Sequence, residues 1–258
     1  MSIIDEGYEI IQLTGNANVA VVRAAAAIEK EIGDLYTYHE RATANDEKRI
    51  EEHTRLAAMV AGIPRLAIGE HLEYFRRLIG SDLMLQSKPY LRISRPGVEE
   101  DNIGFHRDTW YGDTSYECSV WIPLTNTDVG NSLSVAPKSH VWSERAHPTE
   151  RVSRPDVPKG SPKHSLGFIY DSPKRLVSAV QMTPLPVKVG QMIIFPLSLL
   201  HGQEVNKSTV TRFSVDCRIA NALAPIKMAR SRDANYYERW QTSPITAVAL
   251  AYERANGK

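Results

Sequence analysis

His106 and Asp108 stand two residues apart in "GFHRDTWYGD", residues 104–113, with Arg107 between them. On an extended strand, residues i and i+2 project to the same side. An imidazole and a carboxylate so placed can reach one cation without backbone strain. The tripeptide alone does not establish a metal site, because His-x-Asp recurs by chance; a polar surface turn is the alternative. Two later stretches bear on the choice. His201 ends the apolar, strand-like run "VGQMIIFPLSLLHGQEVN" and is followed by Gly202, which would put an imidazole at the mouth of a barrel. Eleven residues on, Arg212 opens "RFSVDCRI". Alternation along that strand turns Phe213, Val215, Cys217 and Ile219 to one side and Arg212, Ser214, Asp216 and Arg218 to the other. An arginine fork beside a serine hydroxyl is suited to gripping a carboxylate bidentately.

Such groups need a scaffold, and the texture of the chain changes near residue 82. From about 18 to 80 apolar residues recur at three and four positions, predicting helices in "NVAVVRAAAAIEKEIGDLY", in "TANDEKRIEEHTRLAAMVAG" and over about 65–79. The second opens on a Thr/Asn/Asp cluster suited to an N-cap and meets Gly62-Ile63-Pro64 at its end. From residue 83 the pattern becomes short β-rich runs between Pro, Gly, Asn and Ser, predicting strands near 83–94, 117–122, 132–135, 186–188, 192–195 and 210–219. That spacing suits an antiparallel sandwich or barrel better than βαβ units. The expectation is one mainly β (α+β) domain: a helical N-terminal layer (1–82), a β core (83–222), and one C-terminal helix with an exposed end (223–258). The polar, proline-bearing stretch 143–180 reads as a lid-like insertion.

Composition narrows the partners. With 24% charged residues and a formal net charge of +1, the chain has no global field to attract nucleic acid or an anionic membrane. No apolar stretch reaches bilayer-spanning length. "MSIIDEGYEIIQL" carries acids where a secretory signal has basic residues, so a cytoplasmic protein is expected. Cys118 and Cys217 each sit in an apolar run and are expected as buried thiols.

Three segments, "HRD" at 106–108, "VWIPLTNTDVGNSLSVAPKSH" at 120–140 and "VGQMIIFPLSLLHGQEVNKSTVTR" at 189–212, follow one another in an order and spacing that resembles the phytanoyl-CoA dioxygenase-like family of Fe(II)/2-oxoglutarate oxygenases. The resemblance covers roughly residues 84–220. It implies a double-stranded β-helix (jelly roll) with iron near one open end. His106, Asp108 and His201 match the family's 2-His-1-carboxylate triad, and Arg212 matches its basic residue for the distal carboxylate of 2-oxoglutarate, with Ser214 beside it. It further implies O2 as co-reactant, with ascorbate a possible aid in vitro, and oxidation of an unactivated C–H bond coupled to decarboxylation of 2-oxoglutarate. Related halogenases lack the triad carboxylate, so Asp108 argues against halogenation. One departure is Lys138, where relatives usually carry glycine in the Pro-x-Ser-His turn.

Within the same resemblance, the stretch "QSKPYLRISRP" (86–96) matches a strand that lines the active site, with Gln86, Lys88, Tyr90 and Arg92 expected on one face. Tyr90 and Lys88 are then expected to reach 2-oxoglutarate and Gln86 to face substrate, with solvent-facing residues as the alternative. Trp110 and Tyr111 are expected to wall the substrate pocket or else to contact the N-terminal helices, with Arg107 an outward-facing spacer. Trp121 is a lining residue or ordinary core, His140 and Asn206 serve turns, and His39, His53 and His71 are satisfied or surface histidines. His147 and His164 lie in the polar insertion and are candidates for substrate contact. The polar inward face suggests a small polar substrate, such as a carbohydrate or secondary-metabolite intermediate. The alternative is a cupin-type metal- or sugar-binding protein or isomerase without oxygenase activity; the arginine offset from His201 favours the oxygenase.

Overall fold

The computed structural model describes residues 2–111, 114–151, 174–224 and 236–257. The chain folds as a jelly roll with helices laid on one face. Strands β1 (Glu9–Gln12), β2 (Leu83–Gln86), β3 (Tyr90–Ser94), β4 (Glu117–Pro123), β9 (Gln191–Pro196), β11 (Arg212–Asn221) and β12 (Tyr237–Gln241) form the large antiparallel sheet. Its order is β1-β9-β4-β11-β2-β12, with β3 also paired to β11. A smaller sheet of β10 (His201–Gly202), β5 (Ser134–Val135) and β8 (Thr183–Pro184) closes the other side. A separate pair joins β6 (Thr149–Glu150) to β7 (Arg175–Leu176).

The helices are α1 (Ile3–Glu6), α2 (Gly15–Ile32), α3 (Asp46–Val60), α4 (Ile63–Glu70), α5 (Leu72–Ile79) and α6 (Pro244–Ala255). The Asn45 side chain caps α3 by accepting the Lys48 amide at 2.9 Å. Gly62-Ile63-Pro64 does end that helix but opens another at once, Pro64 being tolerated in the first turn where no donor is missed. Where one helix is expected over 65–79, the chain breaks at His71 into α4 and α5, just after Gly69 weakens the helix.

The period of two in β11 separates two cores. Phe213, Val215, Cys217 and Ile219 pack outward with Val21, Ile28, Leu56 and Ile68 of the helices. Inward, Trp121, Ile193 and Phe195 meet Leu133, Val135, Leu185 and Val187 in the sandwich interior. Truncating a fully buried ring such as Phe213 to alanine would cost about 3–5 kcal/mol. Cys118 and Cys217 are buried free thiols, and burial lifts the Cys118 pKa to about 12.

Several expectations change in detail. The strand expected over 83–94 is interrupted: Leu85 pairs with Ile219 and Tyr90 with Asp216, so residues 87–89 bulge out of the ladder. Around 186–188 there is no ladder strand; Val187 instead exchanges hydrogen bonds with Thr127. The region after 223 holds β12 before its helix, because β12 covers the edge of β2. Of the lid-like insertion, residues 152–173 (with His164) lie outside the described residues, and its flanks form the β6–β7 pair. Among the described residues, no helix is long and apolar enough to cross a membrane.

Candidate metal centre

His106 and His201 are brought together by an isolated antiparallel bridge between their backbones. The His-x-Asp segment is therefore not the extended strand that alternation suggests: His106 lies on the bridge, and Asp108 opens a one-turn helix, Asp108–Tyr111. Both arrangements leave the two side chains on the same side. The Nε2 of His106 lies 3.6 Å from Asp108 Oδ1, and the Nε2 of His201 lies 3.9 Å from Asp108 Oδ2. All three residues are buried, and one donor atom from each lies within 4.8 Å of the others.

Two features fit this trio to a divalent cation. Each imidazole turns its Nδ1 to a backbone carbonyl two residues earlier, Gly104 at 3.0 Å and Leu199 at 2.9 Å. With Nδ1–H donating there, the Nε2 lone pair faces the centre, the usual support for a ligating histidine. Burial, assisted by the neighbouring His106 and Arg218, pushes the His201 pKa down to about 4, so its ring is neutral at neutral pH. Burial alone would raise the Asp108 pKa, but Arg218 and the two imidazoles hold it far below the usual carboxylate range. Two imidazole nitrogens and one carboxylate are a donor set suited to ferrous iron, with positions left open.

The inward faces of β3, β4, β9 and β11 stack in register beside it. Ser119, Arg218 and Phe195 share one layer, Trp121, Asp216, Tyr90 and Ile193 the next, and Ser214 and Arg92 a third. The Phe195 ring lies 4.5 Å from the His201 ring, which places the trio at the first of these layers. At the far end are Arg212 and Ser214, both buried, with Arg212 Nε and Ser214 Oγ lacking a hydrogen-bond partner among the described residues. A buried guanidinium N–H and a hydroxyl without partners are costly unless a ligand joins them. Arg212 also lies over the Trp121 ring at 5.4 Å, and burial, reinforced by Arg92, lowers its pKa to about 10. A dicarboxylate reaching from the metal to this end would meet both orphaned groups.

The other anticipated contacts divide. Tyr90 faces inward opposite Asp216, with the Arg92 guanidinium 4.8 Å from its ring. Tyr111 stands edge-on to His106, ring centres 5.4 Å apart, and borders the candidate trio. Lys88 sits on the bulge and is exposed, away from the inward face expected for it. Gln86 is buried with both ends of its amide engaged: Nε2 donates to the Lys88 carbonyl, and Oε1 accepts the Arg218 amide opposite the bulge. Trp110 packs with Ala136 and Leu200 and donates to Glu144 at 3.1 Å, so it braces the 142–147 segment. Arg107 is not an outward spacer. It is buried and donates to the Ser139 carbonyl at 2.8 Å, while Ser139 Oγ accepts the Leu200 amide at 2.8 Å. The Pro-x-Ser-His turn thereby ties the His106 segment to the one carrying His201.

Sequence reading places Asp216 and Arg218 on the inward face but gives them, like Ser119 on the strand of Trp121, no role. Arg218 forms an ion pair with Asp108 Oδ2 at 2.9 Å and another with Asp216, which in turn meets Arg92 at 3.5 Å. Charged residues at alternate positions of a long strand are the available signal.

The family model described as phytanoyl-CoA dioxygenase (PhyH) matches residues 17–214. Among solved structures, the non-heme monooxygenase ThoJ is similar in its apo form, with 18% identity, TM-score 0.56, and coverage of 98% of this chain and 92% of that one. Its nickel complex gives 16% identity, TM-score 0.52, and coverage of 98% and 93%. The non-heme alpha ketoglutarate dependent carbocyclase SnoK from nogalamycin biosynthesis gives 18% identity, TM-score 0.48, and coverage of 85% and 81%. No curated protein matches the sequence significantly.

Proposed function

Because the chain belongs to the phytanoyl-CoA dioxygenase family of non-haem iron, 2-oxoglutarate-dependent oxygenases, we propose that it oxidises, most simply by hydroxylation, an unactivated C–H bond of a small polar metabolite, with a carbohydrate or secondary-metabolite intermediate the favoured class. The observation that carries this reading is the pairing of a buried His106–Asp108–His201 donor set with buried, partnerless Arg212 Nε and Ser214 Oγ on one inward face. A cation site alone would need no orphaned guanidinium, whereas a chelating keto diacid needs both.

Iron with 2-oxoglutarate and O2 would supply the oxidising chemistry. His106, Asp108 and His201 would hold the metal, with both imidazoles fixed by their Nδ1 bonds. Arg212 and Ser214 would grip the distal carboxylate, with Trp121 beneath the guanidinium. Tyr90 would line the cosubstrate side of the pocket, and Tyr111 would form a wall beside His106 where substrate approaches. Holding the reacting carbon close and excluding water is the protein's own contribution.

Anaerobic titration with Fe(II) and 2-oxoglutarate tests the reading. The native protein is expected to develop the weak visible charge-transfer band of the chelate. The Asp108→Ala/His201→Ala double variant is expected to lose it. Absence of the band in the native protein would refute the oxygenase assignment.

A further inference from the structure

Both oxygens of Asp108 face imidazoles: Oδ1 lies 3.6 Å from His106 Nε2, and Oδ2 lies 3.9 Å from His201 Nε2. Left to itself, such a carboxylate could bind a cation through both oxygens. Three single-atom protein ligands leave three of six positions, enough for a chelating keto acid and one further ligand. A two-oxygen Asp108 would fill one of those three. Arg218 Nη2 lies 2.9 Å from Oδ2, competing with the metal for that oxygen alone.

We propose that Arg218 is a positioning residue that retains Oδ2 of Asp108, leaving Oδ1 as the single metal-binding oxygen and keeping the adjacent position open for the keto acid. The inference rests on the iron-dependent reading above. The guanidinium is itself immobilised: Nη1 donates to Ser119 Oγ at 2.9 Å and to Asp216, and Ser119 Oγ donates to Asp216 at 3.1 Å. The Arg218 backbone is pinned as well, its amide donating to Gln86 Oε1 at the bulge. Asp216, itself shared with Arg92 at 3.5 Å, and Ser119 engage Nη1, while Nη2 is the nitrogen that lies against Asp108. Arg218 thus reads as a fixed fork with one prong held by Asp216 and the other in ion-pair contact with Asp108 at 2.9 Å, close without the alignment of a hydrogen bond.

Arg218→Gln removes the competing cation and releases Oδ2. Metal affinity and keto-acid affinity should then move in opposite directions. Anaerobic Co(II) titration is expected to give binding at least as tight as in the native protein. The affinity for 2-oxoglutarate, read from the Fe(II) chelate band, is expected to fall tenfold or more. Pyruvate, a keto acid without a distal carboxylate, should lose affinity equally in Arg218→Gln but keep its native affinity in Arg212→Ala, which separates the two arginines. Arg218→Lys, which restores a charged donor, should recover part of the loss. If Arg218→Gln alone fails to fold, Arg218→Gln/Asp216→Asn removes the facing charge too and carries the same measurements. Unchanged keto-acid affinity, or metal and keto acid lost together, overturns the proposal. A native protein that binds Co(II) but never develops the chelate band overturns the oxygenase reading instead.

Discussion

His106 and His201 hydrogen-bond to each other through their own backbones, the amide of each donating to the carbonyl of the other at 2.8 and 2.9 Å. The two imidazoles of the candidate trio are thus neighbours on a two-residue antiparallel bridge that joins distant parts of the chain. Its closeness depends on the glycine after His201. Gly202 has φ +151°, and a Cβ built there would meet the Gly104 carbonyl oxygen at 2.1 Å and the Phe105 Cα at 2.9 Å.

Gly202→Ala is therefore expected to split the bridge. The obstructing atoms are backbone, which cannot swing aside as a side-chain tip could. A cost of about 1–3 kcal/mol is expected from the overpacking. Co(II) affinity should fall at least tenfold, measured by anaerobic titration alongside circular dichroism to confirm that the jelly roll persists. Native metal affinity in this variant would mean that the bridge does not govern the site.

Lys138 lies in the Pro-x-Ser-His turn, and among the described non-glycine residues it alone has a positive φ, +66°. The left-handed conformation costs an L-residue about 1–2 kcal/mol. In return, the Lys138 amide donates to the Glu6 carbonyl at 2.8 Å, and its exposed ammonium pairs with Glu6 at 3.5 Å. That exposed pair contributes about 0–1 kcal/mol. Lys138→Gly should then stabilise the protein by about 1 kcal/mol, raising Tm by about 2–4 °C in thermal unfolding. Lys138→Ala, which keeps the strain and loses the pair, should not.

The Ser139 side chain links the same turn to the His201 segment of the candidate metal centre. Replacing it by alanine removes the acceptor of the buried Leu200 amide, next to His201. An unsatisfied buried donor costs about 1–3 kcal/mol. Ser139→Ala is expected to lower Tm by several degrees and to weaken Co(II) binding, while the Arg107 bond to the residue-139 carbonyl is retained. Equal Tm in the two proteins would show that Leu200 finds another acceptor.

Much of this site is legible in the sequence because its signals are local in type even where they are distant along the chain. The alternation of "RFSVDCRI" divides β11 into an apolar outer face and a polar inner one, as the register has it, and the identities of His106, Asp108, His201 and Arg212 carry the resemblance. What escapes is register. Unbroken alternation puts Gln86 and Lys88 on the inward face, but the bulge at 87–89 exposes Lys88 and occupies Gln86 with the Arg218 amide. Arg107 looks outward for the same reason, since the turn into Asp108–Tyr111 ends the strand geometry on which that expectation stands. A two-residue strand such as β10 has too little pattern to announce itself; tertiary pairing with β5 and the bridge to His106 create it.

His53 offers a pH test of the helical layer, remote from metal chemistry. It is buried on α3, and its Nε2 donates to the Leu91 carbonyl of β3 at 2.9 Å, joining helix layer to sheet. Burial lowers its pKa below the ordinary 6.5, with Arg92 adding to the effect and the Leu91 carbonyl opposing it. In the unfolded chain the ring takes up a proton near 6.5, whereas in the folded one it does so only at lower pH. The unfolded state therefore binds more protons as pH falls. His53's contribution is fully present above about pH 6.5 and is lost as the pH drops from there toward the folded value. His53→Gln keeps an N–H donor and removes the titration, so the native protein should lose stability relative to the variant from pH 7 to pH 5. Urea unfolding at several pH values measures this directly. Parallel profiles would mean that His53 takes up its proton equally in both states, and the interlayer bond would then be insensitive to acid.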